Sequence, residues 1–312
     1  MDKKQSVLQL FPMGFREKCT AALEYVDVLE EIRVRAKNPV CLYIQGKEYF
    51  MGNEGGLTFR REDAFHPSVG QVEELFNHIC DYSPYAYQDE LKQGFLTVAG
   101  GHRIGVAGQA VAEGESVKSL KNIRFLNIRI AHEMLGVADE VLPFLFHKGK
   151  IKNTMIISPP GGGKTTLLRD LIRQISDGNT YANGMTVGVV DERSEIAGCF
   201  MGMPQNQVGS RTDVLDACPK TRGMMMLIRS MSPEVVAIDE LGGMEDAVAL
   251  RKVLHCGCKV LVTVHGKSME EILHKKELSE FLLEKEFECF LVLKSRDGKR
   301  EIEGYDWDGK KI

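Results

Sequence analysis

The chain has 312 residues, 43% of them hydrophobic and 27% charged, which is enough to bury a substantial core and to divide into two domains. Its formal charge of −4 excludes a dominant electrostatic footprint for nucleic acid and leaves room only for a local basic groove. No apolar run approaches the ~20 residues that span a bilayer, and the start Met1-Asp2-Lys3-Lys4-Gln5 lacks the apolar region of a signal peptide, so a cytoplasmic chain is expected.

Residues 1–140 alternate strand-like and helical runs with glycine turn signals, which predicts an α+β domain. Leu29–Arg35 and Val40–Ile44 read as strands, and Gln71–Cys80 reads as an amphipathic helix. Gly94–Ala99 and Arg103–Ala107 read as a hairpin around Gly100-Gly101-His102, followed by a further extended run over Asn122–Ala131. The short segment Leu142–Lys150 is basic at its end, and a linker is placed at 141–150.

From Ile151 onward the pattern becomes βαβ, with apolar strands at Met155–Ile157, Met185–Val190, Val235–Ile238 and Lys259–Val264. The first strand runs into Ser158-Pro159-Pro160-Gly161-Gly162-Gly163-Lys164-Thr165-Thr166, and the amphipathic helix Leu167–Ile175 follows. Strand, glycine turn and helix start together point backbone amides at phosphate oxygens, which commits the protein to a nucleotide. Lys164 is expected at the β/γ-phosphates and Thr165 on Mg²⁺; the usual first glycine is replaced by Ser158.

The second core strand ends in Val189-Val190-Asp191-Glu192-Arg193-Ser194-Glu195, three carboxylates in a position to flank the phosphate loop, with Glu195 taken as a catalytic candidate. In the methionine-rich helix within Cys218–Met231, Met225 and Met226 are expected in the core. Arg222 and Arg229 offer planar forks to phosphate or to another subunit, or form plain surface ion pairs. Pro233–Glu240 reads as a buried parallel strand ending in two carboxylates. Asp239 would sit near Mg²⁺ through water, and Glu240 would polarise the attacking water. Thr263-Val264-His265-Gly266 ends the next strand on the same edge, with Thr263 or His265 placed to sense the γ-phosphate.

Eight cysteines are scattered along the chain, and Cys256-Gly257-Cys258 lacks a matching Cys/His pair, so reduced thiols and no structural zinc are expected.

The acidic box, the Asp239-Glu240 strand end and the Thr263–Gly266 segment follow the order seen in secretion and pilus-assembly ATPases of the RecA-like, additional-strand class. The fold class expected is therefore α/β, a RecA-like P-loop core over 151–312 with a smaller N-terminal α+β domain. Arg211–Lys220, Gly223-Met224 and Arg229–Pro233 resemble, more narrowly, the stage III sporulation protein AA family. So do Glu31–Arg35, Gly100–Gly105 and Ile128–Ala131, and the resemblance covers nearly the whole chain. It implies a Mg²⁺-dependent ATPase that powers an export or feeding apparatus between mother cell and forespore. It also implies a hexameric ring, membrane-embedded partner proteins and a place at the cytoplasmic face of a membrane on the mother-cell side. Sites in that class lie between subunits or domains and receive arginines from the N-terminal domain; the matching positions are Arg103, Arg124 and Arg129, with Arg103 foremost. The tetracysteine zinc module common in secretion ATPases has no counterpart in this sequence. A nucleic-acid motor and an ATP-gated scaffold with incidental hydrolysis remain open as alternatives.

Overall fold

The computed structural model describes residues 2–114, 116–296 and 299–312, and these fall into two units. The first runs to His132 and takes in Cys199–Gln205; the second comprises Glu133–Gly198 and Asn206–Ile312.

The first unit opens with helices α1 (Lys3–Gln9) and α2 (Met13–Cys19), which bury Val7, Phe15 and Cys19. Its sheet is built from β1 (Leu29–Arg35), β2 (Cys41–Ile44), β3 (Lys47–Met51), β4 (Leu57–Thr58), β5 (Phe95–Thr97), β6 (Arg103–Glu113) and β7 (Ser116–Arg129). They lie in the order β4-β3-β2-β1-β7-β6-β5, every pair antiparallel. Leu29 and Ile32 are three residues apart yet both buried, because a register shift between Leu29 and Glu31 returns the strand to the core face. Helices α3 (Val69–Ile79) and α4 (Gln88–Lys92) complete the unit. α3 starts at a capping box in which Ser68 Oγ accepts from the Gln71 amide and the Gln71 side chain accepts from the Ser68 amide. The Gly100-Gly101 turn is pinned by the buried His102 ring: Nδ1 accepts from the Ala131 amide at 3.1 Å, and Nε2 bonds Ser6 Oγ at 2.9 Å.

The segment 141–150, expected as a linker, is folded inside the second unit. Helix α5 (Leu142–Leu145) leads into a hairpin of β8 (Phe146–His147) and β9 (Lys150–Ile151). Leu142, Leu145, Phe146 and Ile151 are buried there, so four apolar anchors outweigh the basic end of the segment, and the change of unit falls at His132/Glu133 instead.

The second unit's main sheet contains β10 (Thr154–Ser158), β11 (Val187–Asp191), β12 (Thr212–Asp216), β13 (Val235–Ile238), β14 (Lys259–His265), β15 (Cys289–Arg296) and β16 (Lys299–Asp306). Their order is β12-β11-β13-β14-β10-β15-β16, and all neighbours are parallel except β15 and β16. Every residue of β10, β11 and β13 is buried, as parallel strands covered on both faces require. The helices are α6 (Lys164–Asp177), α7 (Lys220–Met231), α8 (Met244–His255), α9 (Met269–Leu273) and α10 (Lys276–Leu283). On α7 the buried positions are Lys220, Gly223, Met224 and Leu227, one face at helical period. Met224 therefore takes the core position expected for Met225 and Met226; Met225 is half-buried and Met226 is exposed.

Candidate active site

β10 delivers the chain to the carboxyl edge of the sheet, where Ser158 pairs with His265 of β14. Ser158 is still a strand residue, so its replacement of the usual glycine needs no special torsion. The true loop glycines are constrained: Gly161 and Gly163 hold φ of 74° and 84°, and a Cβ on Gly162 would meet Ser158 Oγ at 2.2 Å. Gly163 caps α6, whose first residue is Lys164, and Leu167, Leu168, Leu171, Ile172 and Ile175 bury the face of α6 that holds the loop in place.

β13 ends at Ile238, and the two carboxylates beyond it are oriented by β14, the strand between β13 and β10. Thr263 Oγ1 donates to Asp239 Oδ1 and accepts from the Glu240 amide at 2.8 Å. Asp239 Oδ2 in turn accepts from Thr165 Oγ1 at 2.6 Å. Glu240 adopts the left-handed region, φ 57°, uncommon for a side chain with a Cβ, and that turn aims its carboxylate at the phosphate loop.

There Oε1 accepts from Lys164 Nζ at 2.7 Å and bonds His265 Nε2 at 3.0 Å, while Oε2 accepts from Arg193 at 2.6 Å. Burial alone would push the Glu240 carboxyl up; Lys164, Arg193 and His265 outweigh it and hold the group below the ordinary glutamate range. These side chains and the phosphate loop line one cavity of about 690 Å³, within the range of small-molecule sites.

The acidic box divides its labour. Asp191 is 2% exposed and accepts from the amides of Glu195, Ile196 and Ala197 at 2.8–3.0 Å, so it braces the loop; burial raises its pKa against those bonds. Glu192 pairs with Lys220 at 2.8 Å. Glu195 lines the phosphate-loop cavity, and Arg169 of α6 straps its carbonyl and that of Ile196 at 2.6 Å each.

The residues fit a magnesium nucleotide. The loop closes on itself so tightly at Gly162 that a Cβ there would meet Ser158 Oγ, the residues that open α6, Lys164, Thr165 and Thr166, line the cavity, and Thr165 and Asp239 present hard oxygens side by side. Among the described residues no group of three or more His, Cys, Asp or Glu is placed to hold a metal by itself.

The family model for sporulation stage III, protein AA matches residues 1–312. This chain belongs to the stage III sporulation protein AA family. Stage III sporulation protein AA of Bacillus subtilis (strain 168) is 46% identical over 245 residues, which cover 78% of this chain and 76% of that one. Among solved structures, the Legionella pneumophila ATPase DotB superposes with a TM-score of 0.60 at 16% identity, covering 96% of this chain and 82% of that one. The pilus retraction motor PilT with bound ADP gives 0.59 at 15% identity, covering 90% and 80%. These likenesses show the fold, an α/β architecture shared with DotB and PilT.

Within this family member the structure joins Lys164, Thr165, Asp239, Glu240 and His265 directly and sets Glu195 at the rim of the same cavity. Arg103, Arg124 and Arg129 belong to the first unit, and each has a contact there. Arg103 lies 3.6 Å over the Phe95 ring, Arg129 is 3.3 Å from Glu31, and Arg124 is 3.8 Å from Glu73. Arg222 and Arg229 are exposed on α7. Three residues escaped the sequence reading: Arg193, Arg169 and Lys220, whose Nζ also donates to the Glu240 carbonyl at 3.0 Å. The signal for Arg193 is its place as the one base among the three carboxylates of the acidic box; Lys220 carries a weaker signal, as the opening residue of the helix before β13.

Among the described residues no helix is long and apolar enough to cross a membrane.

Proposed function

We propose that this chain is a Mg²⁺-dependent ATPase motor that energises a sporulation-specific transport apparatus between mother cell and forespore. The observation that carries the reading is the unbroken hydrogen-bonded array from Lys164 through Glu240 and from Thr165 through Asp239 and Thr263, set in the cavity of the phosphate loop. The Ser158–Thr166 loop would wrap the phosphates through its amides, with Lys164 leaving Glu240 for the β/γ-phosphates. Mg²⁺, held by Thr165 and through water by Asp239, would supply charge neutralisation at the phosphates. Glu240, once free of Lys164, would orient the attacking water, while His265, with Thr263 as the alternative, would report on the γ-phosphate and Glu195 would meet the nucleotide's water or metal from the same cavity wall.

Family membership supports the sporulation context, and the fold shared with DotB and PilT supports the motor reading. The working form proposed is a hexameric ring at the cytoplasmic face of a membrane on the mother-cell side, docked through membrane-embedded partners. In such a ring Arg103 or Arg129, with Arg124 as the third candidate, would be the arginine given to the triphosphate of an adjacent subunit.

The test is ATP hydrolysis by purified protein over a wide concentration range, with Lys164→Ala and Glu240→Gln as controls. Turnover per subunit that rises with concentration and vanishes in both variants is expected. Turnover that is flat and indifferent to both changes would overturn the proposal in favour of a nucleotide-gated scaffold.

A further inference from the structure

The proposed reaction leaves Glu240 with a difficulty. Lys164 and His265 hold only one of its two oxygens; the other is held by Arg193 at 2.6 Å. When Lys164 turns to a phosphate, the carboxylate is still paired, and a paired carboxylate cannot orient water freely. We propose that Arg193 is a phosphate-sensing arginine supplied by the same subunit: it restrains Glu240 while the site lacks a triphosphate, and crosses to the γ-phosphate when one binds, releasing Glu240. This rests on the nucleotide reading of the site given above.

The base of Arg193 is fixed and its head is exposed. On one side Glu195, Ile196 and Ala197 are tied to the buried Asp191. Ser194 sits in the left-handed region at φ 52° with its hydroxyl on Asp216 at 2.6 Å, and Arg169 straps the carbonyls that follow. The Arg193 side chain, in contrast, is 59% exposed and lines the same cavity as Lys164 and the loop glycines. An exposed ion pair of this kind is held by little, whereas a guanidinium meets a phosphate through a planar fork and a larger opposing charge. The exchange therefore runs toward a γ-phosphate. Lys220 stays behind: it is buried and its Nζ grips the Glu240 carbonyl at 3.0 Å, so the backbone of Glu240 holds its place while the carboxylate is released.

A diphosphate has nothing for Arg193 to cross to, and this separates the sensor from a structural arginine. The experiment is calorimetric titration of the full chain, wild type, Arg193→Ala and Arg193→Lys, with Mg²⁺ and either ADP or a non-hydrolysable ATP analogue. In Arg193→Ala the affinity for the analogue is expected to fall about tenfold or more, while that for ADP stays within about twofold. Arg193→Lys should fall between, since it keeps the charge and loses the fork. A thermal melt checks that each variant is folded. Equal losses for both ligands, or no loss for either, overturn the sensor while leaving the ATPase reading intact, provided the wild type binds both ligands. A folded wild type that binds neither ligand overturns both.

Discussion

Asp191 and Glu240 stand at the carboxyl ends of adjacent strands, β11 and β13, which pair in parallel up to Val190 and Ile238. The two acids are used in opposite ways. Asp191 is satisfied by backbone, taking three amides of the loop that follows it. Glu240 is satisfied by side chains, Lys164, Arg193 and His265, all of which line the phosphate-loop cavity. Backbone amides have no other use once the loop is formed, so Asp191 is committed to holding shape. Lys164 and Arg193 are cationic and have a better partner in a phosphate, so their bonds to Glu240 are exchangeable. Two residues of nearly the same chemistry thus become a brace and a switch because of what surrounds them.

Glu240→Gln keeps the shape and removes the charge, and turnover is expected to fall by about 10² to 10³ if the carboxylate orients the water. The same change removes the competitor for Lys164 and Arg193, so the non-hydrolysable ATP analogue should bind more tightly. Steady-state hydrolysis and calorimetric affinity measured on one preparation check both; weaker binding would show that Glu240 is not an occupant that phosphate displaces.

The brace is tested by Asp191→Ala. It strands three amides, those of Ile196 and Ala197 buried and that of Glu195 partly so, and a stability loss of about 3 kcal/mol is expected in urea unfolding. Asp191→Asn should recover part of this, since its carbonyl oxygen still accepts. A loss within error of zero would mean that the loop over Glu195–Ala197 holds itself.

Much of this was legible in the sequence because parallel buried strands are nearly continuous apolar runs, and Val235–Ile238 is one whose bounds the structure reproduces. Leu29–Arg35 likewise stands as read. The phosphate loop was legible because glycines at fixed spacing have a mechanical meaning, visible at Gly161 and Gly163. The methionine helix was misread because density of apolar residues says how much is buried but not which face; the phase set by Gly223 and Leu227 puts Met224 inward. The 141–150 segment differs from a linker because its charge sits at the tip of the β8–β9 hairpin, on Lys148 and Lys150, while its anchors are apolar and buried. The division of roles between Asp191 and Glu195 was not readable at all, since it depends on which way a four-residue turn curls at Ser194.

The smallest effect expected concerns a second brace, in the first unit, and it sharpens the contrast by adding a titration. His102 is buried, accepts from the Ala131 amide at Nδ1, and so carries its proton at Nε2 toward Ser6 Oγ, whose hydroxyl passes on to the Lys3 carbonyl at 2.8 Å. A proton added at Nδ1 would oppose the Ala131 N–H. Burial, with the Lys3 ammonium nearby, pulls the ring from 6.5 down to about 4. Between those values the unfolded chain takes up a proton that the folded chain refuses, so stability rises with pH across the window. The contribution is complete above pH 6.5 and is lost as pH falls toward 4. From pH 6.5 to 5 the loss amounts to about 2 kcal/mol. Urea unfolding followed over that range should show this slope in the wild type and a much flatter profile in His102→Asn, whose side-chain oxygen can still accept from Ala131 but cannot titrate. Equal slopes in the two proteins would mean that the acid sensitivity belongs to the carboxylates and that the ring is held by packing alone.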